Sequence, residues 1–393
     1  MIPVNKALEL VHKTVRPSKE IMELAITDAH GFILASDIES PIDMPPFRQS
    51  AMDGYAVKLN GSEKYKLIGE IKAGDPADYV LNPGEAVRIF TGAAVPDSAD
   101  SIIIQEHIER DSNVIRAMNP VKPDMNIRPK GEQVRTGELA LSKGIKLNAA
   151  AIGYISSLGI QSVRVYQKPK IALIITGNEL QKPGESLDPG KIYESNANML
   201  EAALNKNGIA ELSVLAVKDT YDDTLNVIEE ALNNHDMVLI SGGISVGDYD
   251  FVGQALSEIG VNQVFYKVRQ KPGKPLFFGE LNQKYVFALP GNPASSLSCY
   301  YMYVVPAINL YMGNSNYHPI QFSAISHSTF EKKGDRAQFL KAIYKDGHVE
   351  ILDGQNSSML HTFALANALV YIPEDVNRIA VNDSVKTILI PQY

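Results

Sequence analysis

The run Ile171–Leu180, IALIITGNEL, and the run Met237–Asp250, MVLISGGISVGDYD, decide the fold. Each starts with consecutive β-branched and aliphatic residues, the texture of a strand buried on both faces, and then breaks into a polar loop that carries glycine. Ile171–Thr176 and Met237–Ile240 therefore read as interior strands. Between them the sequence predicts a helix over Ser195–Asn207, opened by Ser/Asn caps and closed by Gly208, then a strand at Leu212–Val217 and a helix at Thr220–Asn233. Beyond the second loop come a helix at Phe251–Ile259, an extended run at Gln263–Val268, a strand at Tyr285–Leu289 and a long helix from near Pro293. Strands alternating with helices of this length predict a central three-layer α/β domain, residues 168–316, with a mostly parallel sheet.

The flanks have a different texture. Short β-rich runs at Tyr65–Glu70, Glu85–Phe90, Ser101–Glu109 and Asn113–Arg116, separated by Gly, Pro, Asp and Asn, predict a β-rich domain over residues 27–139. It interrupts two helical patterns, Asn5–Val15 and Asn148–Leu158, which are expected to pack together as one discontinuous helical and linker domain, residues 1–26 and 140–167. After Tyr317 the runs Ile320–Ser326, Phe339–Lys345, His348–Leu352, Ala368–Ile372 and Ser384–Ile390 predict a small antiparallel sheet or β-barrel-like domain, residues 317–393. The fold class is multidomain α/β plus β.

Bulk properties narrow the function. With 45% hydrophobic and 21% charged residues, the 393-residue chain reads as an ordinary globular protein. A formal net charge of −8 argues against general nucleic-acid binding and against a polybasic membrane-surface protein. The start is amphipathic, unlike a signal peptide, and no apolar run approaches the roughly 20 residues that span a bilayer, so a cytoplasmic protein is expected. One cysteine, Cys299, excludes a disulfide framework; its apolar surroundings predict a buried structural thiol. The eight histidines show no metal-binding spacing.

In an open parallel sheet, ligands bind beyond the carboxyl ends of the strands. Three unusual loops fall there: Thr176–Leu180 (TGNEL), Ser241–Asp250 (SGGISVGDYD) with Ser241, Gly242, Gly243, Ser245 and Gly247, and Pro290–Ser296 (PGNPASS) with Pro290, Gly291, Asn292, Pro293 and Ser295. Glycine lets backbone N–H groups approach a ligand, and a helix N-terminus carries partial positive charge, so together the loops predict an anion cradle. The turn Lys271–Pro275 (KPGKP) adds Lys271 and Lys274, point charges suited to phosphate-like oxygens, with Lys267 just before. The nearest carboxylates are Glu179, Asp219, Asp248 and Asp250, hard ligands of the kind Mg²⁺ takes beside a phosphate. Asp219 and Asp250 also stand where helix caps stand, and that reading stays open here. By composition alone, the stretches around Ser50–Ala56 (SAMDGYA) and Thr91–Pro96 (TGAAVP) are simply loops.

These motifs, in type and order, resemble the molybdopterin molybdenumtransferases, the family of MoeA and the equivalent domain of gephyrin: SAMDGYA, TGAAVP with Gln105-Glu106, TGNEL, SGGISVGDYD, KPGKP and PGNPAS. The resemblance spans nearly the whole chain. It implies an enzyme that inserts molybdate, as substrate, into adenylated molybdopterin with Mg²⁺-dependent release of AMP. It implies a homodimer whose active site is shared between subunits, the α/β domain of one facing the inserted domain of the other. Further partners implied are the adenylyltransferase that makes the substrate and the apo-molybdoenzymes that take the product. By resemblance, Asp250 and Glu179 carry the metal, with Asp219 nearby; Lys271, Lys274 and Ser295 line the molybdate pocket, completed by Arg336 and Ser358. Asp53 and Thr91 would reach across the dimer, and Lys267 would contact nucleotide or phosphate. Ser358 is matched through the pair Ser357-Ser358, either of which fits. Many relatives carry Asp-Asn or Asp-Arg before the SAMD core; here the pair is Arg48-Gln49, a charge reversal. Two rivals remain: molybdopterin adenylyltransferase, which resembles the α/β segment alone, and a non-catalytic scaffold of the same family.

Overall fold

Alternation of inward residues organises the α/β domain. In the computed structural model, which describes residues 1–244 and 251–390, the strand Ile171–Thr176 sends Ile171, Leu173 and Ile175 into one core and Ala172 and Ile174 into another. Met237–Ser241 and Lys284–Leu289 divide their side chains in the same way, so the sheet is covered on both faces. Helices Asn196–Lys206 and Pro293–Cys299 cover one face; Tyr221–Asn234 and Phe251–Ile259 cover the other. The strand order is Leu212–Val217, Ile171–Thr176, Met237–Ser241, Lys284–Leu289, Phe277–Leu281, Asn262–Tyr266. The first four are mutually parallel, and Phe277–Leu281 runs antiparallel between its neighbours. The helix from Pro293 passes through a π turn, Tyr300–Val304, into Val305–Tyr311.

The inserted region holds a six-stranded mixed sheet, ordered Ser101–Ile104, Gly54–Val57, Glu85–Ile89, Lys64–Ile71, Val114–Ala117, Ile108–Asp111. The expected run Ser101–Glu109 is broken by a 3₁₀ turn at Gln105–His107. The two flanking helices do not share a core as expected. Val4–Thr14 buries Val4, Ala7 and Val11 against the α/β domain, whereas Ala149–Ser157 packs with Leu34, Leu147 and Val163. The amphipathic stripe of Val4–Thr14 matched the apolar face of the long C-terminal helix of that domain better than the small, nearly all-alanine start of Ala149–Ser157. What closes the discontinuous unit instead is a strand pair, Ile21–Ala25 antiparallel to Ser162–Tyr166.

Near the C-terminus five strands close a barrel: Ala337–Lys345, His348–Ile351, Gln321–Ser326, Ser384–Leu389 and Ala368–Ile372, the last returning to the first. Gln321–Ser326 pairs parallel with His348–Ile351, so the barrel is not wholly antiparallel. A sixth strand comes from the α/β domain, where Gln270–Lys271 pairs parallel with Ala337 and Gln338.

Candidate active site

The neighbouring strands Ile171–Thr176 and Met237–Ser241 are the topological switch point. The chain leaves the first toward the Leu212–Val217 edge and the second toward the opposite edge, so the loops part and open a crevice. It widens into a cavity of about 850 Å³. Gly242 sits at its floor with φ of +95°, and a Cβ there would lie 2.5 Å from the Thr176 carbonyl oxygen, so glycine alone lets these two loops touch.

The three glycine loops meet through a residue that the sequence pattern assigned only to capping. Asn196 is buried at the start of its helix, and its amide donates 2.8 Å hydrogen bonds to Ser241 Oγ and to the Gly291 carbonyl. The cap is supplied instead by Glu194, whose carboxylate accepts from the Ala197 N–H at 2.8 Å. Pro290, Gly291, Asn292, Pro293 and Ser295 line the next wall, where Pro293 opens the long helix toward the cavity. Asn292 does not cap that helix with its side chain; its amide donates to Ser357 Oγ at 3.1 Å, joining the α/β domain to the barrel.

Lys271 and Lys274 line the opposite end with Arg336, Ser357 and Ser358 from the C-terminal region. Their turn is held from beneath. Gln270 Nε2 donates to the Gly273 carbonyl at 3.1 Å, Tyr303 donates to Gln270 Oε1 at 2.5 Å, and Arg336 donates to the Gln270 carbonyl at 3.3 Å. Cys299 packs against Gly273, wholly buried, and burial pushes its thiol up to about 12, so it is the structural, unreactive group the sequence predicted. Gln270 and Tyr303 went unnoticed in the sequence because a glutamine beside a basic turn and a tyrosine in an apolar helix carry no periodic signal.

Glu179 and Asp219 share the remaining wall. Partial burial, and then the charge of Glu179, hold the Asp219 carboxyl above the usual carboxylate range. The capping alternative for Asp219 falls away: Thr220 accepts from the Asp223 N–H and caps helix Tyr221–Asn234 itself. Ser245, Gly247, Asp248 and Asp250 lie outside the described residues.

Three other predicted residues are not in this cavity. Lys267 has φ of +67° and places its ammonium 4.5 Å from the centre of the Tyr266 ring, which turns it away from the cavity wall. This corrects its expected contact with nucleotide or phosphate within the subunit. Asp53 and Thr91 meet each other on the inserted domain. The Thr91 N–H and hydroxyl donate to Asp53 Oδ1 at 2.7 and 2.8 Å, and these bonds, with Arg88 nearby, hold the Asp53 carboxyl below its usual range. Arg88 also donates to Gln105, so SAMDGYA, TGAAVP and Gln105-Glu106 form one exposed polar cluster. Arg48 has a local task that accounts for the charge reversal: its guanidinium donates to the carbonyls of Pro96, Asp97 and Ala99 and braces the second of those loops.

A doubly covered, mostly parallel sheet with glycine loops at its switch point, lysines at one end and paired carboxylates at the other defines an α/β protein built to hold an extended anionic ligand. The comparisons make this specific. Three family models match in order: the MoeA N-terminal region (domain I and II) over residues 2–159, a probable molybdopterin binding domain over 172–310, and the MoeA C-terminal region (domain IV) over 323–390. The molybdopterin molybdenumtransferase of Staphylococcus epidermidis is 30% identical over 99% of this chain and 95% of its own length. That of Haemophilus influenzae is 33% identical over 92% of each. The molybdopterin biosynthesis MoeA protein of Pyrococcus horikoshii OT3 superposes with a TM-score of 0.87, at 30% identity, over 99% of this chain and 100% of that one. The chain belongs to the molybdopterin molybdenumtransferase family.

Proposed function

We propose that the protein inserts molybdate into adenylated molybdopterin and releases AMP, in a Mg²⁺-dependent step of molybdenum cofactor biosynthesis. One observation carries the reading: a single cavity has a glycine-loop cradle with two carboxylates at one end and Lys271, Lys274 and Arg336 at the other. The adenylated pterin carries a phosphoric anhydride and a dithiolene, so it needs an anhydride site next to an oxyanion site.

The residues fit the division. Backbone N–H groups of the loops at Gly242, Gly243 and Gly291, with Ser241 and the start of the long helix, hold the phosphates and stay fixed as charge develops on the leaving oxygen. Lys271 and Lys274 hold molybdate electrostatically, with Ser295, Arg336 and Ser358 orienting its oxygens. Glu179 and Asp219 suit Mg²⁺, which takes one or two carboxylates plus substrate oxygens, and a cation would relieve the repulsion that raises Asp219. Bound there with Asp250, Mg²⁺ would polarise the anhydride for attack by water.

Homodimerisation fits the same reading. Asp53 and Thr91 form a preorganised polar pair that does not line the cavity of their own chain, as expected of groups that complete a partner's site. Among the described residues no helix is long and apolar enough to cross a membrane, in keeping with a cytoplasmic enzyme that takes its substrate from an adenylyltransferase and passes its product to apo-molybdoenzymes. Purified protein incubated with adenylated molybdopterin, molybdate and Mg²⁺ is expected to release AMP and to yield cofactor that activates an apo-molybdoenzyme. Absence of both products sinks the proposal.

A further inference from the structure

Lys341 lies on the inner side of the barrel strand Ala337–Lys345 and is buried, 3% exposed, with no carboxylate bonded to it among the described residues. Burying an ammonium costs several kcal/mol in general unless its donors are satisfied. Here three carbonyls satisfy it: Gly354 at 2.7 Å, Met359 at 3.0 Å and Asn356 at 3.4 Å, matching the three N–H groups of the cation. All three belong to one irregular segment, residues 354–359, which has no strand or helix of its own. The backbone at Lys341 holds the same segment again: its N–H donates to Gln355 Oε1 at 2.9 Å, and its carbonyl accepts from Gln355 Nε2 at 2.9 Å. Thr362 Oγ1 shares the Gly354 carbonyl at 3.1 Å, and the Phe363 ring lies 5.8 Å from the ammonium.

That segment presents Ser357 and Ser358 to the cavity beside Arg336, and Ser357 receives the Asn292 amide from the other domain. We propose that Lys341 is a positioning residue for the oxyanion end of the site, its buried ammonium fixing segment 354–359 so that the two serines stand where molybdate binds. The inference rests on the oxyanion reading of that end of the cavity. It differs from a packing role, because a packing role is met by any apolar side chain of similar length. A methionine would fill the space and leave three carbonyls of the segment without donors, which frees the segment while keeping the barrel closed.

The test is a graded series, Lys341→Met, Lys341→Gln and Lys341→Arg, removing all the donors, keeping two, or keeping a cation. For each variant, KM for molybdate, KM for adenylated molybdopterin and kcat are measured, with molybdate-induced thermal stabilisation as a readout independent of turnover. Lys341→Met is expected to raise the molybdate KM about tenfold, the loss of one hydrogen bond of about 1.4 kcal/mol, with the pterin KM within about twofold. Lys341→Gln falls between, and Lys341→Arg recovers most of the affinity. An unchanged molybdate KM in the Met or Gln variant, or equal losses for both substrates, overturns the inference. If Lys341→Met does not fold, the ratio of the two KM values in the Gln and Arg variants decides. Failure of the wild-type protein to be stabilised by molybdate would instead remove the oxyanion reading on which the inference stands.

Discussion

Gly273 is the position where the lysine turn and the long helix come closest, and its replacement by alanine yields a quantity that can be checked. Two costs arise in Gly273→Ala. The backbone at φ of +85° is one that alanine adopts at a cost of about 1 kcal/mol relative to glycine. The added methyl would lie 2.4 Å from Cys299 Sγ and 2.9 Å from Gln270 Nε2. The amide end can yield, but the sulfur is fixed in a fully buried side chain, so overlap there costs about 1–3 kcal/mol. The single variant is therefore expected to lose about 2–4 kcal/mol. Cys299→Ala removes the atom in the way, so the double variant should be less destabilised than the sum of the two singles, with a coupling of about 1–2 kcal/mol. Urea unfolding of the four proteins measures the cycle, and molybdate saturation reports whether displacing the turn moves Lys271 and Lys274. Additivity within about 0.3 kcal/mol would show that the thiol does not support the turn and would refute the argument.

The raised carboxyl of Asp219 gives a prediction with a definite sign. Its folded form holds a proton more tightly than the unfolded chain does, so its contribution to stability is present at low pH and is lost as pH rises through the raised value. Asp219→Asn is thus expected to raise the melting temperature at pH 7 while weakening Mg²⁺ binding. In the unmodified protein Mg²⁺ affinity should begin to fall, on acidification, at a higher pH than for an ordinary carboxylate; thermal shifts with and without Mg²⁺ from pH 5 to 8 check both, and a lower melting temperature with intact Mg²⁺ affinity contradicts them. A shared site predicts complementation between Asp53→Ala and Lys274→Ala, each expected to be nearly inactive alone. Mixed dimers would hold one site with both residues intact, so equal mixing after subunit exchange should restore about a quarter of the wild-type rate, from half the dimers with one of two sites working. No recovery, with exchange confirmed by mass spectrometry, would place Asp53 in the site of its own subunit.

Local pattern was enough to read the α/β domain, because burial on both faces leaves long unbroken apolar runs such as Ile171–Thr176 and Met237–Ser241. Phe277–Leu281 escaped notice because it turns straight back into Lys284–Leu289 through Asn282 and Gln283, both at positive φ, without the glycine that usually marks such a hairpin. The pairing of Ile21–Ala25 with Ser162–Tyr166 joins residues more than 130 positions apart, and no local rule reports such a contact. At the site, glycines and lysines were legible from residue type and place, since few side chains serve close backbone approach or point charge. Asn196, Gln270, Tyr303 and Lys341 were not, because each acts through a buried hydrogen bond to a backbone or side chain distant in sequence.

Those hidden residues explain why the site needs the C-terminal barrel. Lys271 and Lys274 stand on a turn that has no strand partner inside the α/β sheet; its only ladder among the described residues is Gln270–Lys271 against Ala337 and Gln338. Ion pairs from Arg269 to Asp335 and Glu374 add to that seam, though such partly exposed pairs contribute little on their own. A free lysine turn would lose conformational entropy each time it closed on an oxyanion, at about 0.5–1.5 kcal/mol per side chain, and the barrel removes that cost by ordering the turn beforehand. The glycine cradle needs no such help, since its loops are anchored at strand ends and tied by Asn196. The phosphate end is therefore a property of one domain and the oxyanion end a property of two, which is why Lys341, deep in the barrel, can tune one substrate without touching the other.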